Sequence, residues 1–353
     1  MLRHHWSRFS DRSTAHWRAW SLVMTDEQIY PWLEQQWRHL IRQHAQGRLP
    51  HALLLSGPAG VGKAAFASAL AHLLLCHAPN DGQPCGHCRS CELIASGHHP
   101  DRLFLTPEEP GKAIRVDQVR DVTGVLHSTA QQGGYRVMIM DPAEAMNVSA
   151  ANALLKTLEE PGQDTLLILV CHQLGQLMPT IRSRCQRIDF RMPPAQVSRD
   201  WLAQRLEMDA DAAGKLLAIA QGAPLAAVEL HQSELLELRR TLMTGLADLL
   251  RERTDAISLA QKLHKEDLNH LLDWWLSLLA DLVRLQAGGD QADLNNVDMT
   301  KMLTAVANRA DRVRIFSLVD RVQEERKSLM LRHNPNRQLL LEKLLFDWRA
   351  LVR

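Results

Sequence analysis

Apolar residues in the first half of the chain fall into short unbroken runs separated by helical stretches. "HALLLSG" (His51–Gly57) is an apolar run of strand length, and "KAAFASALAHLLLC" (Lys63–Cys76) after it reads as a helix. "DRLFL" (Asp101–Leu105), "YRVMIMD" (Tyr135–Asp141) and "DTLLILVC" (Asp164–Cys171) read as three further strands. Between the last two lies "SAANALLKTLEE" (Ser149–Glu160), a helix with Ser149 placed to cap it and Pro161–Gly162 to stop it. Strands alternating with helices predict an α/β domain built on a parallel sheet.

The pattern changes at Pro193–Pro194, beyond which only helical periods remain. "HLLDWWLSLLADLVRL" (His270–Leu285) aligns Leu271, Trp275, Leu278 and Leu282 on one stripe, and Gly288–Gly289 ends it. "NRQLLLEKLLFDWRALV" (Asn336–Val352) repeats the stripe with Leu341, Leu344, Leu345, Trp348 and Leu351. Such stripes are ordinarily core; in a helical domain they also serve as subunit contacts, and the periodicity leaves both readings open. The chain shows no internal repeat and no low-complexity tract.

Composition narrows the picture. A length of 353 residues suits two or three domains, and a 46% hydrophobic content supplies them with cores. Lys plus Arg (41) balances Asp plus Glu (40), which argues against a free-standing nucleic-acid binder but not against a local contact inside an assembly. No apolar run reaches about 18 residues, so no membrane span is expected and a cytoplasmic protein is. Residues 1–23 carry several Trp, His and Arg but no signal-peptide core. They read as a disordered extension or as a stretch upstream of a true start at Met24; a basic docking arm is the alternative.

"LLLSGPAGVGKAAFA" (Leu53–Ala67) carries the chemistry of this half. Gly57, Gly62 and Lys63 have the G-x-x-x-x-G-K spacing of a phosphate loop, with Gly60 as a further glycine, between a strand and a helix as the mechanism requires. Backbone N–H groups of residues 58–63 are expected to face phosphate oxygens at a helix N-terminus, with Lys63 reaching the outer phosphates. Yet Ala64 stands where a Ser or Thr hydroxyl would hold magnesium. "RVMIMD" ends at Asp141, the place for a metal-organising acid, but Pro142 follows where such ATPases commonly have a water-orienting Glu. Two losses on either side of the metal predict a loop that does not hydrolyse ATP efficiently. An ordinary strand-end Asp capping a turn is the other reading of Asp141.

Six cysteines occur, four of them as Cys76, Cys85, Cys88 and Cys91 in "CHAPNDGQPCGHCRSC". The spacing C-x8-C-x2-C-x2-C, without an export signal, favours a metal site over disulfides. Four thiolates close a tetrahedral zinc shell, so a structural rather than catalytic zinc is expected. Gly82, Pro84 and Gly86 suit the turns between ligands, and His77 and His87 are neighbouring competitors. Cys171 and Cys185 are isolated, with packing as their default.

The order of phosphate loop, four-cysteine module, "GHHPD" (Gly97–Asp101), "VDQVR" (Val116–Arg120), "NALLKTLEEP" (Asn152–Pro161) and "IRSRCQ" (Ile181–Gln186) resembles the AAA+ clamp-loader subunits of bacterial DNA polymerase III. The resemblance is strong from Ile29 to Phe190 and holds in outline beyond. It implies an AAA+ P-loop domain over 24–192 with a zinc module at 76–91, a helical lid at 193–233, and a helical collar at 234–353. It implies a hetero-pentamer with gamma/tau motor subunits and a delta subunit, acting on a sliding clamp and primed DNA. The departures set this chain apart from the motor subunits. Ala64, Pro142 and Leu225, the last in "GAPLAAV" (Gly222–Val228) where the lid has an Arg, each replace a working group. The loop glycines and Lys63 are intact, so weak binding of ATP or ADP and mere retention of the loop's shape both stay open. By resemblance, Arg184 in "RSRC" is an arginine finger for ATP held by a neighbour; a surface Arg paired with a local carboxylate is the bland alternative. Two rival functions remain: an active motor ATPase, and a zinc-containing nucleic-acid-binding regulator with a degenerate P-loop.

Overall fold

The computed structural model describes residues 29–109, 111–290, 294–330 and 335–352; the expectations for residues 1–23 and Met24 lie outside them. The chain divides into two compact units, one up to Pro193 and one from Pro194 onward.

In the first unit, helix α1 (Glu34–Ala45) precedes strand β1 (Ala52–Ser56) and helix α2 (Lys63–Leu75). Then come α3 (Arg89–Ala95), β2 (Arg102–Leu105), α4 (Val116–Leu126), β3 (Arg136–Met140), α5 (Val148–Glu159), β4 (Thr165–Cys171), the short α6 (Pro179–Arg182) and β5 (Gln186–Asp189). The five strands form one parallel sheet in the order β2-β3-β4-β1-β5. Strands β1, β3 and β4 are buried at every position, as their unbroken apolar runs require of central strands covered on both faces. The edge strands β2 and β5 are buried only in part: Phe104 of β2 and Arg187 and Asp189 of β5 are exposed.

Two details differ from the sequence reading. The helix α5 starts at Val148, and its cap is Asn147, whose side-chain oxygen accepts the Ala150 N–H at 2.8 Å, not Ser149. Both residues are good caps, but only Asn147 has extended backbone there (φ −74°, ψ 168°). The other end is as expected: α5 stops before Pro161, which disfavours helical backbone at Glu160. The strand β5 was not expected at all, because its Q-R-I-D sequence has a single apolar residue.

The second unit is helical throughout: α7 (Ala195–Arg205), α8 (Ala210–Ile219), α9 (Pro224–Gln232), α10 (Leu235–Leu250), α11 (Ala256–Leu263), α12 (Leu268–Gln286), α13 (Thr300–Ala307), α14 (Arg312–Met330) and α15 (Arg337–Ala350). One apolar cluster runs continuously from Leu202 to Leu351. Both predicted stripes are in it, with Trp275 and Trp348 completely buried, so they are core within this chain. Gly288 (φ 83°) lets the chain turn back so that the Gly289 N–H reaches the Arg284 carbonyl at 2.9 Å, closing α12. A polar network lies beside this core, with Arg239, Asn296 and Asp281 buried and Asp298 at its exposed end. Arg239 forks onto Asp298 (2.6 and 2.9 Å) and reaches Asn296 (2.9 Å), whose N–H and side-chain amide both donate to buried Asp281. It ties the segment before α13 to α10 and α12.

Candidate functional site

The carboxyl ends of β1, β3 and β4 meet at one edge of the sheet, the place where open α/β sheets bind ligands. Chain continuation from β1 makes the phosphate loop. Gly57 (φ 152°) and Gly62 (φ 98°) occupy backbone conformations that side chains resist, and a Cβ on either would collide, at 2.0 Å with the Phe190 carbonyl or 2.6 Å with the Tyr30 ring. The loop is thus shaped by packing as well as by any ligand. Trp32 stacks on Tyr30 and donates its indole N–H to the Val61 carbonyl at 2.9 Å. Lys63 is buried and its Nζ donates to the loop's own carbonyls, Gly57 (2.7 Å) and Pro58. Burial pushes its ammonium down to about 8, against the upward pull of Asp141, Glu144 and Cys171. Ala64 adds no polar atom.

Asp141, at the end of β3, is buried and bonds His172 Nε2 at 3.1 Å, just past β4. Two positions beyond Pro142 is Glu144, whose Oε1 accepts the N–H groups of His172 (2.8 Å) and Gln173 (3.0 Å). Through Oε1 that carboxylate is fastened to the β4 end. Burial first, then Glu144, pushes the Cys171 thiol up to about 12, so it is an inert packing group. Cys185 is likewise raised to about 12 by burial.

Cys76 closes α2 and Cys88 opens α3, with Cys85 and Cys91 completing the group. Their four sulfurs lie within 4.8 Å of one another and none is in a disulfide. The separations Cys76–Cys88 (3.9 Å), Cys85–Cys91 (3.9 Å) and Cys88–Cys91 (3.5 Å) suit a common metal. A tetrahedron with zinc–sulfur bonds of about 2.3 Å has edges of about 3.8 Å. Gly82 and Gly86 take positive φ in the intervening turns. The Cys85 N–H donates to Cys76 Sγ at 3.2 Å, support suited to a thiolate. At Cys88, burial raises the thiol, but backbone N–H groups of Cys91 and His77 outweigh it and bring it down to about 6. Burial raises Cys91 to about 12. Neither His77 nor His87 joins the group; His87 bonds the Cys85 carbonyl through Nδ1 at 2.8 Å.

Arg184 lies between α6 and β5 on the surface. Its Nε and Nη2 donate to one oxygen of Glu159 at the end of α5 (2.8 and 2.5 Å), and Nη1 donates to the Thr180 carbonyl (3.1 Å). The local carboxylate of the bland reading is therefore present in the isolated chain.

Comparison with known proteins decides the family. Residues 32–194 match the family model described as DNA polymerase III, delta subunit, and residues 233–350 match its C-terminal counterpart. The DNA polymerase III subunit delta' of Pseudomonas aeruginosa is 42% identical over 326 residues, covering 92% of this chain and 98% of the relative. The chain belongs to the DNA polymerase III delta-prime family. The subunit of the same name from Escherichia coli K12 is 36% identical, with 90% and 94% covered. The first unit is accordingly an AAA+ P-loop domain, and the second an all-helical C-terminal region.

For a delta-prime family member the "GHHPD" stretch now has a physical role. Nε2 of buried His99 lies 2.8 Å from Ser90 Oγ in α3, Ser90 also bonds the Leu75 carbonyl, and the Asp101 N–H donates to His99 Nδ1 (3.1 Å). The Asp101 carboxylate holds the N–H groups of Gln131 and Gln132, both at 2.8 Å. The motif wires the cysteine module to the sheet. Sequence reasoning did not single out Glu144, His172, Ser90 or Glu159, since each acquires its partner only by tertiary contact. No helix among the described residues is long and apolar enough to cross a membrane.

Proposed function

We propose that this chain is the delta-prime member of a clamp loader, a subunit that positions its neighbours rather than burning ATP. The carrying observation is a phosphate loop whose shape is kept while its chemistry is absent. Ala64 offers no magnesium ligand, Pro142 no carboxylate, and Asp141 and Glu144 are engaged by His172 and by backbone N–H groups. Lys63, turned onto loop carbonyls, lends itself to holding the loop's shape.

In this reading the assembly is a hetero-pentamer with gamma/tau motor subunits and delta, loading the sliding clamp onto primed DNA. The helical region divides into a lid (193–233) and a collar (234–353) that joins the other subunits. Cys76, Cys85, Cys88 and Cys91 hold a structural zinc, which would cross-link the insertion between α2 and α3. Arg184 supplies an arginine finger to ATP bound by a neighbouring motor subunit, where its always-charged planar fork stabilises the transferring phosphate. Co-expression with the other clamp-loader subunits tests the assembly. The chain is expected to co-purify in a complex that loads clamps, and a complex that forms and loads equally well without it would overturn the reading.

A further inference from the structure

We propose that Glu159 is a displaceable latch for Arg184, a positioning carboxylate that holds the guanidinium until a neighbour's nucleotide phosphate takes its place. The proposal rests on the trans role of Arg184 given above and adds how that residue is held when no phosphate is near.

The argument starts from the donors. Arg184 has two edges able to fork onto an anion. The Nε–Nη2 edge is closed on a single oxygen of Glu159, and Nη1 is held by the Thr180 carbonyl (3.1 Å) and, at 3.4 Å, the Ser183 hydroxyl. Thr180 and Ser183 are neighbours of Arg184 along the chain, so their contacts travel with it. Glu159 is the one anionic group among these partners and comes from another element, the last residue of α5. A phosphate that forks onto the Nε–Nη2 edge must therefore replace Glu159 while the Nη1 contacts stay in place.

Exposure decides whether that exchange is feasible. The side chains of Arg184 and Glu159 are 35% and 52% exposed, so a departing carboxylate is rehydrated at once. Ion pairs at such exposure are worth about two- to fivefold in an equilibrium constant, too little to block a multiply charged phosphate but enough to bias the side chain. The latch also keeps the guanidinium from wandering, since the Nη1 contacts fix one edge and Glu159 the other.

The test uses the complete reconstituted complex, with clamp and primed DNA, and compares wild type, Glu159→Gln, Arg184→Ala and the double variant. The quantity read is the Arg184-dependent part of ATP turnover, obtained with and without the Glu159 change. Glu159→Gln keeps shape and hydrogen bonding but removes the charge. We expect it to raise that part about two- to fivefold at low salt. The gain should vanish as salt rises, because screening weakens the wild-type latch as well. On the Arg184→Ala background, Glu159→Gln should change nothing. A purely structural role for Glu159 would give neither the salt convergence nor the dependence on Arg184. If Arg184→Ala lowers turnover but Glu159→Gln leaves the Arg184-dependent part unchanged or lower, the latch alone is overturned. If Arg184→Ala has no effect, the finger falls and the latch with it. Should Glu159→Gln assemble poorly, Glu159→Ala provides the same comparison.

Discussion

His99 and Ser90 meet across the junction between the cysteine module and the sheet, 2.8 Å apart, both buried. With the Asp101 N–H donating to Nδ1, the ring's one proton sits on Nε2 and points at Ser90. A doubly protonated ring cannot accept from Asp101, and burial, the largest influence, pulls the His99 pKa below its ordinary 6.5. Its contribution to stability is therefore complete above pH 6.5 and is lost as pH falls through the lower folded value. Wild type should lose thermal stability below pH 6.5 more steeply than His99→Gln, whose amide does not titrate. Parallel pH profiles for the two would contradict this role.

The cysteine module should bind about one zinc per chain, as four thiolates close one tetrahedral shell. Elemental analysis of protein purified without added metal checks the stoichiometry. Cys88→Ser should lose the metal and destabilise the first unit, while the second unit unfolds at its wild-type temperature. A folded, zinc-free wild-type chain would contradict the prediction.

The isolated chain should release phosphate from ATP no faster than a Lys63→Ala control. Ala64, Pro142 and Leu225 motivate the expectation. Turnover well above the control would favour an active motor. Nucleotide binding without turnover is compatible with the account, because the loop glycines and Lys63 are intact.

In the helical unit, Asp298→Ala should cost about 1.5–3 kcal/mol, the usual worth of hydrogen bonds to a charged group. It strands the guanidinium of Arg239, which is only 4% exposed, with Asn296 as its remaining side-chain partner. Denaturant unfolding measures the loss, and a change near zero would show that water replaces the carboxylate.

Much of this architecture could be read from local pattern. Strands β1, β3 and β4 announce themselves because central parallel strands are apolar on both faces, and the stripes of α12 and α15 because they are core. The strand β5 escaped notice because an edge strand with Ile188 as its one apolar residue has no such pattern. Asn147 and Ser149 compete as caps two residues apart, and backbone geometry rather than residue type decides. At the candidate site, the glycines, Lys63, Asp141 and the four cysteines were legible from spacing. The partners that define their state were not: His172 lies 31 positions from Asp141, and Glu159 lies 25 from Arg184. Fold, not sequence neighbourhood, brings each pair together.

The most direct test of the central claim is the clamp- and DNA-stimulated ATPase of a reconstituted complex in which this chain carries Arg184→Ala. A finger supplied in trans contributes about 10³–10⁵ at the site it serves. Only one of several motor sites would depend on Arg184, so total turnover should fall partially, clamp loading should suffer more, and assembly should be normal. Arg184→Lys should restore little, because an ammonium lacks the planar fork. Wild-type turnover and loading with Arg184→Ala would contradict the account and leave this chain a purely structural member.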